Sequence, residues 1–253
     1  EKFIHDINAF DPDGDDLNFY LTTPLQGPGS PVPNYTLPHF VSGNDPSNEG
    51  AVTIDEQTGV LCWGNPLVLG EYNVAVYIVS SRNGVPIDTV LRDMQIFVED
   101  CGDNKPPTIE TIDEICVVAG ETVEFDVIAN DPDGDQIRFS ALGGPFILPD
   151  SPAEDFDEIW DPFQTPPVIS SGSQYANGPI VETFRWQTVC EHIRKNPYTV
   201  VFKAQDNVFD TSGLATLKQV QITVVGPQPE DVQAQPTSNF VDVSWENPYE
   251  CED

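Results

Sequence analysis

Five residues, Asp-Pro-Asp-Gly-Asp, occur twice in this chain, at Asp11–Asp15 and at Asp131–Asp135. Three carboxylates crowded into one turn repel one another unless a cation joins them. Alternate Asp side chains on a tight bend offer several oxygens at once. That suits calcium, which takes about six to eight oxygen ligands. Gly permits the bend, and Pro fixes the backbone ahead of it. The pattern is not an EF-hand, because the twelfth positions, which should be Glu, are Thr22 and Leu142. The alternative reading is a solvated turn whose Asp side chains accept backbone amides.

The turns sit in matched surroundings. Ala9-Phe precedes the first copy and Leu17-Asn-Phe19 follows it; Ala129-Asn precedes the second and Ile137-Arg-Phe139 follows. Further matches run downstream: Gly59-Val-Leu-Cys-Trp63 with Thr183-Phe-Arg-Trp186, Gly70-Glu-Tyr72 with Asn196-Pro-Tyr198, and Val90–Val98 with Leu217–Val225. An internal repeat of this length is one folding module used twice. Short apolar runs alternate between turn residues, as in Tyr72, Val74, Val76 and Ile78, and no segment keeps a helical period. The expected class is all-β: tandem immunoglobulin-like (cadherin-like) sandwiches. Residues 1–103 form a sandwich lacking its first strand. Residues 106–226 form a second with a long insertion at about 143–179. In 229–253, Val232 and Val241-Asp-Val-Ser-Trp245 resemble the first strands of a fibronectin type III domain.

In such a sandwich each acidic turn joins the second and third strands, at the pole that also carries the last hairpin loop. In the second copy that loop reads Asp206-Asn-Val-Phe-Asp210, and the linker Asp100-Cys-Gly-Asp103-Asn104-Lys-Pro-Pro107 reaches the same pole. The linker resembles those of cadherins, where Asp and Asn ligands precede a Pro. The expectation is one calcium at the junction, held by Asp131, Asp133, Asp135, Asp206, Asp210, Asp100, Asp103 and Asn104. Asp11, Asp13 and Asp15 form the weaker candidate, because their neighbouring loop, Ser80-Ser-Arg-Asn-Gly84, has no acid and carries Arg82. A guanidinium there can stand in for a metal.

Forty-two Asp and Glu against ten Lys and Arg leave a net charge of −32. Nucleic acid and anionic membranes are repelled and divalent cations attracted. No apolar run is long enough to span a bilayer. The chain starts and stops inside modules, as an interior piece of a longer protein would. Five cysteines in an exported acidic protein are expected to form disulfides. Strand poles pair Cys116 with Cys190 and Cys62 with Cys101, leaving Cys251; free thiols are the alternative.

Pro106-Pro-Thr-Ile, Ala119-Gly-Glu-Thr-Val-Glu-Phe125 and Asn130-Asp-Pro-Asp-Gly-Asp135 resemble the cadherin-like and polycystic-kidney-disease-like repeats of bacterial surface proteins. Cys116-Val-Val-Ala-Gly-Glu, Gly143-Gly-Pro-Phe, Trp186-Gln-Thr-Val-Cys190 and Pro197-Tyr-Thr-Val-Val-Phe-Lys-Ala add a resemblance to the gliding-motility-associated surface proteins of Bacteroidota. The resemblance implies export by type IX secretion machinery, a bacterial cell-surface location and an adhesin-like role. Asp88-Thr89-Val90 resembles the O-glycosylation motif of that phylum, with Thr89 as acceptor. His5, His39 and His192 are scattered, and no nucleophile elbow, zinc helix or phosphate loop occurs. The expectation is a non-enzymatic stalk. The alternatives are recognition of a glycan or protein by Phe156, Trp160, Phe163 and Tyr175 in the insertion, and cargo of the type IX translocon.

Overall fold

The structure, a computed structural model, describes residues 2–153, 175–208 and 213–246. The alternating segments form strands with one buried face. Along the first repeat these are β1 (Phe3–Asp6), β2 (Asp16–Thr22), β3 (Leu25–Gly27), β4 (Ser30–Pro31), β5 (Val52–Ile54), β6 (Val60–Trp63), β7 (Gly70–Arg82) and β8 (Val85–Val98). Sheets β1-β6-β5 and β2-β7-β8 enclose a core of Ile7, Phe19, Leu61, Trp63, Tyr72, Val74, Val76 and Ile96. Tyr72, Val74 and Val76 are buried, while Ile78 packs on the margin of that core.

The second repeat contains β9 (Thr108–Glu110), β10 (Glu114–Val118), β11 (Thr122–Asn130), β12 (Gln136–Gly143), β13 (Ala176–Asn177), β14 (Ile180–Gln187), β15 (Tyr198–Asp206) and β16 (Ala215–Val225). Its sheets are β14-β11-β9 and β10-β16-β15-β12-β13. β1–β6, β2–β7 and β7–β8 pair as β11–β14, β12–β15 and β15–β16 do. β9 pairs with β11 and β10 runs parallel to β16; β1 and β8 have no such neighbours among the described residues. The repeat extends to side-chain geometry. Trp63 meets Tyr72 edge-on at 4.9 Å and Trp186 meets Tyr198 edge-on at 4.9 Å, with both indoles fully buried. The chain is all-β, in tandem immunoglobulin-like sandwiches.

A hairpin of β17 (Glu230–Pro236) and β18 (Val241–Glu246) follows. Its side chains are exposed, including Trp245 at 55 %, the residue expected to close β18 against a core. No helix among the described residues is long and apolar enough to cross a membrane.

The expected disulfides are corrected here. Neither Cys62 nor Cys116 is in a disulfide, so Cys62–Cys101 and Cys116–Cys190 are not formed. Strand pleat explains the second failure. Val117 takes the core-facing position on β10 and turns Cys116 to solvent. Cys190 is disulfide-bonded, though not to Cys116.

Candidate metal centre

Both acidic turns fold alike. Gly14 and Gly134 have φ of 79° and 85°, the left-handed region that glycine enters without a Cβ penalty. The amide of Gly14 donates to the Asp11 carbonyl at 3.2 Å, and that of Gly134 to the Asp131 carbonyl at 3.4 Å. The first Asp of each turn caps the backbone: Asp15 donates its amide to Asp11 Oδ1 at 3.2 Å, and Asp135 to Asp131 Oδ1 at 3.1 Å. The capping reading therefore accounts for one oxygen per turn and leaves the others to be explained.

The surroundings then diverge. In the first turn, Arg82 on β7 grips Asp15 with Nε to Oδ1 at 2.7 Å and Nη2 to Oδ2 at 2.8 Å, and reaches Asp13 at 3.4 Å. Such a bidentate fork is a strong form of ion pair. It holds the Asp15 carboxyl below its ordinary value. Oxygens of Asp11, Asp13 and Asp15 lie within 4.8 Å of one another, but a cation already sits on them as a side chain.

The second turn has no such arginine. Burial and the neighbouring charges of Asp131, Asp206 and Asp133 push the Asp135 carboxyl above its ordinary value. Asp206, at the end of β15, is fully buried and Asp131 is 5 % exposed. Asp206 Oδ1 accepts the amides of Val208 at 3.2 Å and Leu214 at 3.1 Å, and its Oδ2 accepts Asn104 Nδ2 at 2.9 Å. Asp131 Oδ2 and Asn104 Oδ1 are buried without a hydrogen-bond partner among the described residues. Leaving a buried acceptor unsatisfied costs about 1–3 kcal/mol. The oxygens here are less tightly clustered than in the first turn. The orphaned ones nevertheless mark this as the better cation site, because a ligand would satisfy atoms that the protein does not.

The linker reaches the site, though not through every residue expected. Asn104 contacts Asp206. Lys105, whose role the sequence pattern did not suggest, donates its backbone amide to Asp133 Oδ2 at 2.8 Å and its ammonium to Oδ1 at 3.4 Å. Asp100 turns back to accept the amide of Gly102 at 3.1 Å, and Asp103 is exposed. Asp210, Phe156, Trp160 and Phe163 lie outside the described residues. Tyr175 lies beneath Arg138, whose Cζ is 5.8 Å from the ring centroid. Thr89 is exposed on β8.

A further contact joins the two sandwiches at the first turn. Phe10 stacks on Tyr198, with ring centroids 6.2 Å apart. Arg194 Cζ stands 5.3 Å from the Phe10 centroid and 4.8 Å from that of Tyr198, and its Nη1 donates to the Asp11 carbonyl at 3.2 Å. Asn196 Nδ2 donates to the Gly14 carbonyl at 3.2 Å and to Asp16 Oδ1 at 2.9 Å, while Lys195 pairs with Asp16 at 3.4 Å. The first turn is thus a docking point for the second sandwich.

No family model matches the chain, and no curated protein matches it. Among solved structures it is similar to the sialic acid binding region of a Streptococcus sanguinis SK1 adhesin bound to 3'sLn. There the identity is 21 %, the match covers 51 % of this chain and 34 % of that one, and the TM-score is 0.27. It is similar to the SrpA adhesin of Streptococcus sanguinis at 22 % identity, covering 53 % of this chain and 65 % of that one, TM-score 0.32. It is also similar to the zebrafish RET cadherin-like domains 1 to 4 at 12 % identity, covering 86 % and 42 %, TM-score 0.26. The chain spans about a third of the length of the first of these. What those proteins bind is a property of theirs.

Proposed function

We propose that this chain is a non-enzymatic, adhesin-like segment of an exported cell-surface protein, in which calcium stiffens the junction between two sandwiches. The units are the first sandwich over 1–103, the second over 106–226 and a fibronectin-like start over 229–253. One observation carries the reading: Asp131 Oδ2 and Asn104 Oδ1 are buried and, among the described residues, unpartnered beside the fully buried Asp206. Asp131, Asp135, Asp206 and Asn104 would hold the ion. A bound divalent cation would supply counter-charge beyond the single Lys105 ammonium that reaches Asp133. Because Asn104 belongs to the linker and Asp206 to β15, filling the site ties linker to sandwich. The motif resemblance supports a bacterial cell-surface location and delivery by type IX secretion machinery.

The test is titration calorimetry of the chain with calcium, for the wild type and for Asp206→Asn. The wild type binds one ion, and the variant binds at least tenfold more weakly. A wild type without measurable heat at millimolar calcium refutes the junction site.

A further inference from the structure

Lysine and arginine are scarce in this chain, ten against forty-two acids, yet four of them line one cleft between the two sandwiches. The cleft, of about 1150 Å³, is walled by β1 and β8 on one side and by β12, β15 and β16 on the other. Its basic residues are Lys2, Arg92, Arg138 and Lys203. Elsewhere Arg82, Lys105, Arg185, Lys195 and Lys218 each pair with a carboxylate. Arg92 and Arg138 do not, among the described residues. Arg92 donates to the Ile7 carbonyl, and Arg138 donates to Gln205 Oε1 at 3.2 Å. Arg138 faces a neutral acceptor, so its guanidinium keeps most of its charge available and its fork matches a carboxylate, while Arg92 shares its charge with Asp6 on the same wall. His5, on the same wall, reports the field: burial and the charges of Arg92 and Lys203 lower it to about 4.

The rim narrows the ligand class. Asp6, Glu99 and Asp100 line the cleft as well and disfavour a dianion such as a phosphate monoester, so a single negative charge fits better. Phe97, 57 % exposed, offers a ring face at the edge, and Ser140 and Thr216 put hydroxyls in the wall. A flat apolar face with hydroxyl partners suits a sugar ring. We infer that this cleft binds a carboxylated sugar, whose carboxylate is held by Arg92 and Arg138 and whose ring lies against Phe97. The inference is independent of the calcium site.

The experiment is titration of the chain with galacturonate, which carries a single carboxylate, with a chelator present so that calcium plays no part. Its methyl ester serves as the uncharged control and an oligoglutamate peptide as the competing anion. Galacturonate binds, and the methyl ester binds at least tenfold more weakly. Arg138→Gln, at a side chain that among the described residues contacts Gln205 and Tyr175, lowers affinity about tenfold with an unchanged melting temperature, and Arg138→Lys restores part of it. Arg92→Gln lowers affinity likewise. The proposal is overturned by absence of binding at millimolar sugar, by equal binding of the ester, by full affinity in both Gln variants, or by capture of the peptide alone.

Discussion

The contact between Arg194 and Phe10 makes a quantitative prediction about coupling between the sandwiches. Arg194 stands over two rings, Phe10 from the first repeat and Tyr198 from the second, at 5.3 Å and 4.8 Å. Each cation–π contact at a partly exposed position is worth about 0.5–1 kcal/mol, and the hydrogen bond to the Asp11 carbonyl adds about 1 kcal/mol. Arg194→Ala is therefore expected to cost about 2–3 kcal/mol. Phe10→Ala loses its share of the same arginine contact plus the stacking on Tyr198, worth about 0.5–1.5 kcal/mol. The double variant should cost less than the two single losses together, by about 0.5–1 kcal/mol, because the shared contact can be lost only once. Urea unfolding followed by tryptophan fluorescence reads this, since Trp63 reports the first core and Trp186 the second. Distant, independent sites add to within about 0.3–0.5 kcal/mol. Additivity within that margin would show that the two sandwiches do not share the contact, and the docking role of the first turn would fall with it.

Calcium should raise the melting transition of the second core and leave that of the first in place, by about 2.7 kcal/mol of stability at a hundredfold excess over Kd. Scanning calorimetry with calcium and with chelator checks this, and equal movement of both transitions would contradict it. Asp135→Asn should stabilise the chelated protein at neutral pH. The carboxyl is raised above 3.8 in the fold, so its ionisation opposes folding. The advantage of the variant is full at neutral pH and vanishes as pH falls through the raised value toward 3.8 and below, which melts at pH 7 and pH 4 in chelator would display. Arg82→Gln should act in the opposite sense. Asp15 is lowered by Arg82, and the stability it contributes is present above 3.8 and lost as pH falls through its folded value. The variant should lower the first transition at neutral pH and make it newly responsive to calcium; a first transition unchanged in both respects would contradict this.

Much of the architecture was legible in the chain itself, because strand pleat and turn chemistry are local. Alternation at Tyr72, Val74 and Val76 implied a strand with one face inward, and the repeated Asp-Pro-Asp-Gly-Asp implied one turn used twice, down to the left-handed glycine. Trp63 and Trp186 matched as sequence and match as packing. Arg82 could be placed near the first turn because hairpin loops and acidic turns share a pole. The disulfides were not legible in this way. Knowing the pole of a strand does not fix the direction of a side chain, and Cys116 faces solvent because Val117 faces the core.

Identical pentapeptides therefore determined the backbone of both turns, while their electrostatics were decided by what the fold brings across long stretches of chain. Arg82 arrives at Asp15 from 67 residues away and Asn104 at Asp206 from 102. Arg194 reaches Asp11 across 183 residues. Charge interactions depend on distance and burial in space, so the same five residues are a neutralised docking point in one sandwich and an electron-rich pocket with orphaned oxygens in the other.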